Sequence, residues 1–248
     1  MPKADTSVVY VGTGSEGIRA NVTTGRGLYK STDAGDSWRF MGLGNAGQIG
    51  DVVAHPEDPD RVFVAALGHP FGKNEQRGVF RSTNGGDTWE KVLYKSDSTG
   101  AVDLAFRPEN PDVMYATMWR AERKPWTIIS GNDGGDGLYK STDGGDTWTK
   151  LETGLPSGLV GKIDLAVTPA APDRVYALVE APGDKQGLYR SDDAGESWRQ
   201  VSDKKEIMSR PFYFTHLFAH PKDPDKLFVG NVQYYVSDDA GETFETKE

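Results

Sequence analysis

Residues 137–150 read Gly137-Leu-Tyr-Lys-Ser141-Thr-Asp143-Gly-Gly145-Asp-Thr147-Trp148-Thr-Lys150. A short β-branched and aromatic run leads into a polar, glycine-rich turn that ends on a large aromatic, which is the signature of a tight hairpin. The turn pattern Ser-x-Asp/Asn-x-Gly-x-Ser/Thr-Trp/Phe recurs. It starts at Ser31, Ser82, Ser141, Ser191 and Ser237 and ends at Trp38, Trp89, Trp148, Trp198 and Phe244. Asp33, Asn84, Asp143, Asp193 and Asp239 hold its third position and are expected to accept backbone N–H groups of their own turn. The glycine two residues further on suits a positive φ. Carboxylate, glycine and aromatic are all assigned to folding rather than to chemistry.

A second element precedes each of the later turns: His55-Pro-Glu-Asp-Pro-Asp, Arg107-Pro-Glu-Asn-Pro-Asp, Thr168-Pro-Ala-Ala-Pro-Asp and His220-Pro-Lys-Asp-Pro-Asp. Each is followed by a strand-like run. The repeat therefore predicts four strands, A to D, with the box as the C–D turn and the Pro/Asp element as the A–B turn. Strand A of the last unit is expected over 214–218. The reading is an all-β β-propeller, one domain over 1–248, with units near 1–44, 45–96, 97–152, 153–203 and 204–248. About 19 strands and little helix are expected. Only a few residues precede strand B of the first unit, so its blade is expected to be incomplete. The chain is then either an arc of a larger propeller or a five-bladed ring with one three-stranded blade. Met1 and Glu248 are expected not to meet in one sheet.

Five boxes at blade spacing resemble the BNR/Asp-box repeat proteins, a group that includes sialidases, xyloglucan-active glycoside hydrolases and sortilin-type receptors. The segments around Tyr10-Val-Gly-Thr-Gly, Ala66-Leu-Gly-His-Pro-Phe-Gly, Met118-Trp-Arg and Tyr213-Phe-Thr-His216 are most similar to large secreted bacterial proteins of that group. The resemblance implies an extracellular or periplasmic setting, although this chain carries no signal peptide. Its likeness to sialidases is incomplete: their N-terminal Arg-Ile-Pro is absent and no arginine triad can be assigned.

Composition narrows the chemistry. The net charge of −9 opposes general nucleic-acid binding. No cysteine is present, which excludes disulfides and thiolate metal sites. No apolar run is long enough to span a membrane. The stretches Asn132-Asp-Gly-Gly-Asp136 and Asp143-Gly-Gly-Asp146 supply too few oxygens for calcium, so no metal or cofactor is expected.

Strand order supplies a candidate site. A–B and C–D turns share one face of a propeller, and the long, irregular B–C and D–A connections share the other, where scaffolds usually carry sites. Once the repeat is set aside, that face keeps Arg19, His69, Arg120, Arg123, Trp126, Tyr213 and His216 as ligand-binding candidates, with Asn21, Arg77, Lys124 and Arg210 nearby. The six-residue set Arg19, His69, Arg120, Trp126, Tyr213 and His216 is expected to converge towards the channel, with Trp126 held by Pro125. Cations beside aromatics suit a glycan, a peptide or another anionic ligand. Glu16, Glu75, Glu122, Asp133 and Asp136 are acids of the same face, but no signature pairs any two of them as glycosidase catalysts. A noncatalytic binding propeller is the first reading, with missing blades or further domains in a parent protein. A fragment of a secreted glycoside hydrolase of the BNR-repeat type is the alternative.

Overall fold

A computed structural model describes residues 7–132 and 134–247; Met1, Asp133 and Glu248, on which three expectations rest, lie outside the described residues. The chain forms five antiparallel sheets set side by side around a channel. The first contains β1 (Val9–Gly12), β2 (Leu28–Ser31) and β3 (Arg39–Phe40). The second contains β4 (Ile49–Ala54), β5 (Val62–Ala66), β6 (Gly78–Ser82) and β7 (Glu90–Leu93). The third contains β8 (Thr99–Phe106), β9 (Met114–Arg123), β10 (Ile128–Ser130), β11 (Gly137–Ser141) and β12 (Thr149–Lys150). The fourth contains β13 (Ile163–Thr168), β14 (Ala171–Val179), β15 (Gly187–Ser191) and β16 (Arg199–Ser202). The fifth contains β17 (His216–Ala219), β18 (Leu227–Gly230), β19 (Tyr234–Ser237) and β20 (Glu245–Lys247).

Strand order follows chain order in four of the sheets, the third having both β8 and β10 against β9, and the inner strands β4, β8, β13 and β17 line up in succession along the channel. This is a β-propeller arrangement. The twentieth strand is β10, which folds back on β9 and lengthens the third sheet into a hairpin beyond the blade. Strand A of the fifth unit begins later than expected. Pro211 sits in the first turn of a short helix, α1 (Pro211–Phe214), where its fixed φ and missing N–H cost nothing, so β17 starts at His216. Among the described strands β1 pairs only with β2 and β20 only with β19, so no ladder joins the first sheet to the last.

The box turn is built identically five times. The third-position oxygen accepts the backbone N–H four residues later at 2.9 Å in every unit, and the leading serine hydroxyl accepts the box glycine N–H. Asn84 does this with its amide oxygen. The hydroxyls of Ser37, Thr147 and Ser197 hold the carboxylates of Asp33, Asp143 and Asp193 down near pH 2. The box glycines have φ near +90 to +103, a region closed to most residues with a Cβ.

Packing between sheets uses the same turns. The box aromatic packs against the preceding sheet as well as its own turn. Trp89 donates its indole N–H to Met41 O at 2.7 Å, Trp148 packs with the cluster that holds Phe63, Trp198 with Tyr115 and Phe244 with Tyr176. Four apolar clusters result, each shared by two consecutive sheets. Trp198 is 6% exposed, whereas Trp38, in the first of the described sheets, is 45% exposed. Trp198→Ala is therefore expected to cost about 3–5 kcal/mol of stability and Trp38→Ala less than about 0.5 kcal/mol. Urea denaturation of both variants checks this, and equal losses would contradict the packing order.

Candidate functional site

Five residues before each A–B turn proline, the inner strands carry Asp51, Asp103, Asp164 and His216 (prolines 56, 108, 169 and 221). Period-two alternation turns this position toward the channel in every sheet, and the four side chains line a polar cavity of about 250 Å³ with Glu16, Leu217 and Phe218. The carboxyls also link sheet to sheet. Asp51 accepts the N–H of Leu104 in the third sheet at 3.3 Å, and Asp103 accepts that of Leu165 in the fourth at 2.7 Å. Burial lifts the Asp51 carboxyl to about 6. Burial and the charges of Asp51 and Asp164 push Asp103 well above the ordinary carboxylate range. Burial also raises Asp164, although the Lys162 ammonium opposes it. Lys162 is itself buried, yet its two carboxylate neighbours, Asp164 at 3.1 Å and Glu16 at 3.0 Å, outweigh desolvation and keep it charged.

Glu16 comes from the long connection between β1 and β2. That segment leaves the first sheet, crosses the channel mouth and reaches the fourth and fifth. Three contacts hold it there. Ile18 is fully buried in a cluster with Leu67, Val102 and Trp119, against which Phe212 packs. Glu16 meets Lys162, with His216 Nε2 at 3.7 Å from its other oxygen. The Arg19 guanidinium lies 5.3 Å from the centre of the Tyr213 ring. Gly17 permits the crossing, because a Cβ there would stand 2.4 Å from Tyr213 O. On its outer side the segment lines an open hollow of about 610 Å³ with Arg19, Asn21 and Arg26.

Contacts thus gather Arg19, Tyr213 and His216 of the expected set at the channel mouth. The others lie along the second and third units. His69 packs edge-on against Phe71, and Arg123 donates its backbone N–H to Pro70 O. Arg120 donates to Gly131 O and Asn132 O of its own connection, and its backbone N–H is received by Asp136. Trp126 stands at the tip of the β9–β10 hairpin, 88% exposed despite Pro125. Arg77, expected on the accessible face, is fully buried: its guanidinium donates to Leu67 O, His69 O, Gly72 O and Ala121 O and ties the β5–β6 connection to β9. Trp119 is also buried, its N–H on the Ser130 hydroxyl.

Sequence reasoning did not single out the aspartate column, Glu16 as its cap or Lys162. The signal was present as an acid at one fixed offset before three successive turn prolines. Chemically, the arrangement offers hydroxyl-accepting carboxylates, one ammonium and an aromatic–guanidinium pair around one opening. Asp51 also bonds the side chain of Asp103, so these two carboxyls form one linked pair. Among the described residues no cluster of metal-ligating side chains occurs.

The sequence profile of the Sortilin-Vps10 family (sortilin, neurotensin receptor 3) matches residues 26–186. A xyloglucanase of Hypocrea jecorina (strain QM6a) is 27% identical over 177 residues, 70% of this chain and 17% of that protein. A xyloglucanase of Paenibacillus sp. is 31% identical over 155 residues, 53% of this chain and 14% of that protein. The chain spans less than a fifth of either. Among solved structures, the GH74 xyloglucanase from Xanthomonas campestris superposes with a TM-score of 0.69 at 18% identity, over 96% of this chain and 36% of that one. YCF48 from Cyanidioschyzon merolae superposes with a TM-score of 0.51 at 16% identity, over 92% of this chain and 64% of that one. These superpositions show a shared propeller fold.

The raised channel acids make stability depend on pH. A carboxyl whose pKa rises on folding stabilises most below its unfolded value near 3.8 and loses that contribution as pH climbs through its folded value. For Asp51 this is on the order of 2–3 kcal/mol, lost between about pH 4 and 7. The box acids work oppositely and lose their contribution as pH falls towards 2. The urea midpoint is expected to peak near pH 4 and to fall as pH rises towards neutrality. Asp51→Asn should flatten that alkaline fall; an unchanged slope would remove Asp51 from the account.

Proposed function

The chain belongs to the Sortilin-Vps10 family of Asp-box propeller proteins, and from that membership we propose that it is a noncatalytic carbohydrate-binding propeller segment of a secreted, glycan-active protein, with the ligand held at the channel mouth. The observation that carries the reading is the meeting of Glu16, Arg19, Tyr213 and His216, drawn from the first and last units, above the aspartate column. A sugar ring presents an apolar face to an aromatic and hydroxyl donors to carboxylates. Four acids against one buried lysine disfavour an anionic ligand inside the channel, which turns the expectation towards a neutral glycan. The xyloglucanases among its relatives support that ligand class. His69, Arg120, Arg123 and Trp126 would extend the surface along the second and third units for a longer chain, where the two half-buried arginines leave room for an anionic substituent or a peptide. Further blades or domains of a parent protein belong to the same reading.

Glycosidase action is the competing function. It would need two carboxyls set apart across the bound sugar, one as acid and one as base or nucleophile. Calorimetric titration with a xyloglucan oligosaccharide tests the proposal. Binding is expected to weaken about tenfold in Tyr213→Ala and in Arg19→Ala, with a small loss of melting temperature because their contact also helps to hold the crossing segment. Absence of binding to neutral and charged glycans alike would overturn the proposal. Release of new reducing ends would instead establish catalysis.

A further inference from the structure

A second opening lies away from the channel, where the third sheet meets the fourth. The connection from β12 to β13 runs between them, and its stretch 159–162 is laid against the β10–β11 connection. Gly131 permits that approach, because a Cβ there would stand 2.2 Å from Val160 O. Two cavities flank the stretch. Leu159 lines one of about 300 Å³ with Ile128, Ala181 and Pro182. Val160 lines the other, of about 100 Å³, with Leu138, Leu151, Leu155, Ile163 and Val179. Every lining residue belongs to the third or fourth unit, and none of them lines the channel cavity.

The larger cavity holds one carboxylate, that of Glu180. Its Oε2 accepts the Ser130 hydroxyl at 2.9 Å and the Lys162 backbone N–H at 2.8 Å. The hydroxyl is aimed there because it receives the Trp119 N–H on its other side. Gly161 makes room for the carboxylate, since a Cβ at that place would stand 2.0 Å from Oε2. Both donors are uncharged. Among the described residues no cation pairs with Glu180, and the Lys162 ammonium points away from it to Glu16 and Asp164. Its Oε1 accepts no hydrogen bond from the described residues, and the half-buried Gln186 in the same wall makes none with its amide. A half-buried carboxylate, fixed by neutral donors and left with one oxygen to spare, is built to receive a positive group.

We propose that this cleft binds a segment of a partner protein through a lysine, whose ammonium meets Glu180 in the larger cavity, and through a neighbouring aliphatic side chain that fills the smaller one. The lysine stem lies on Ile128, Leu159 and Pro182, as methylene chains do when only their head is polar. Lysine is selected over arginine because Oε2 already receives two donors. One remaining oxygen suits a compact ammonium and not the two-toothed fork of a guanidinium. The Gln186 amide oxygen is available for a second ammonium proton. A volume of about 100 Å³ is smaller than the roughly 150 Å³ that takes benzene, so the apolar cavity suits leucine, isoleucine or valine rather than an aromatic ring. Its rim carries Glu152 and Asp136, while Lys150 beside them is engaged with Gly134 O. With a net charge of −9 on the chain, a basic partner is drawn to this face. The site is separate from the channel mouth and does not depend on glycan binding.

Fluorescence anisotropy on the full chain, with labelled peptides that carry one lysine and one leucine separated by zero to three glycines, tests this up to about 1 mM. Saturable binding is expected for at least one spacing. For that peptide, acetylating the lysine should weaken binding at least about tenfold, and replacing the leucine by glycine about tenfold. Arginine in place of the lysine should also weaken it. Glu180→Gln keeps an oxygen for Ser130 and Lys162 and loses the charge, so it should weaken the lysine peptide about tenfold and leave the acetylated one unchanged. Leu159→Ser, at a place 44% exposed, should weaken both without affecting the fold. No saturable binding at any spacing overturns the proposal, as does affinity that is indifferent to acetylation or to Glu180→Gln. Tyr213→Ala should leave peptide binding unchanged, so the channel-mouth reading stands or falls on its own.

Discussion

The contact on which the structure depends is the seating of a strand-B aromatic from one sheet in a turn of the next: Tyr10 at Gly85, Phe63 at Gly145, Tyr115 at Ala194 and Tyr176 at Pro224. A four-stranded antiparallel sheet alone has two faces to cover and little area with which to do so. Here each sheet covers one face with its predecessor and the other with its successor, and stability accrues at the interfaces, as in other repeat arrays. The box turn makes this regular. Its buried glycine leaves room for the incoming ring, while the carboxylate locks the turn so that the space is always in the same place. The gradient from the exposed Trp38 to the buried Trp198 and Phe244 follows directly, because a box aromatic is covered by what precedes it.

The channel shows the same logic with polar groups. Buried carboxylates are costly unless they are bonded or protonated. Asp51 and Asp103 meet that cost by accepting N–H groups from the neighbouring sheet and by holding protons longer, and Asp164 meets it through Lys162. The segment carrying Glu16 and Ile18 then caps the column and connects the first unit to the fourth and fifth. It does so without any strand pairing between the end sheets. Function and architecture share this segment, since the residues that bridge the arc are those that shape the channel mouth.

Much of this was legible in the residues themselves. A box turn is local: serine, acid, glycine and hydroxyl lie within eight residues and bond to one another, so repetition alone reveals five hairpins and their spacing. Strand order also follows, because short A–B and C–D turns leave only one simple path. The start of β17 was not legible to the residue, because Pro211 supports a helical turn that competes with an early strand start.

Tertiary structure alone decided the site. Arg19 and Tyr213 are nearly two hundred residues apart, and their contact exists because a segment from one sheet crosses the opening formed by four others. The same holds for Arg77, which reads as an exposed cation yet is enclosed by four carbonyl groups contributed by the β5–β6 connection and by β9 of the next sheet. Trp119 and Trp126 look alike in sequence. One fills the cluster around Ile18, and the other stands on a hairpin tip in solvent. Local bonding is written in neighbouring residues and can be read from them. Burial and convergence depend on which distant surfaces meet, and a chain settles that only when the sheets pack.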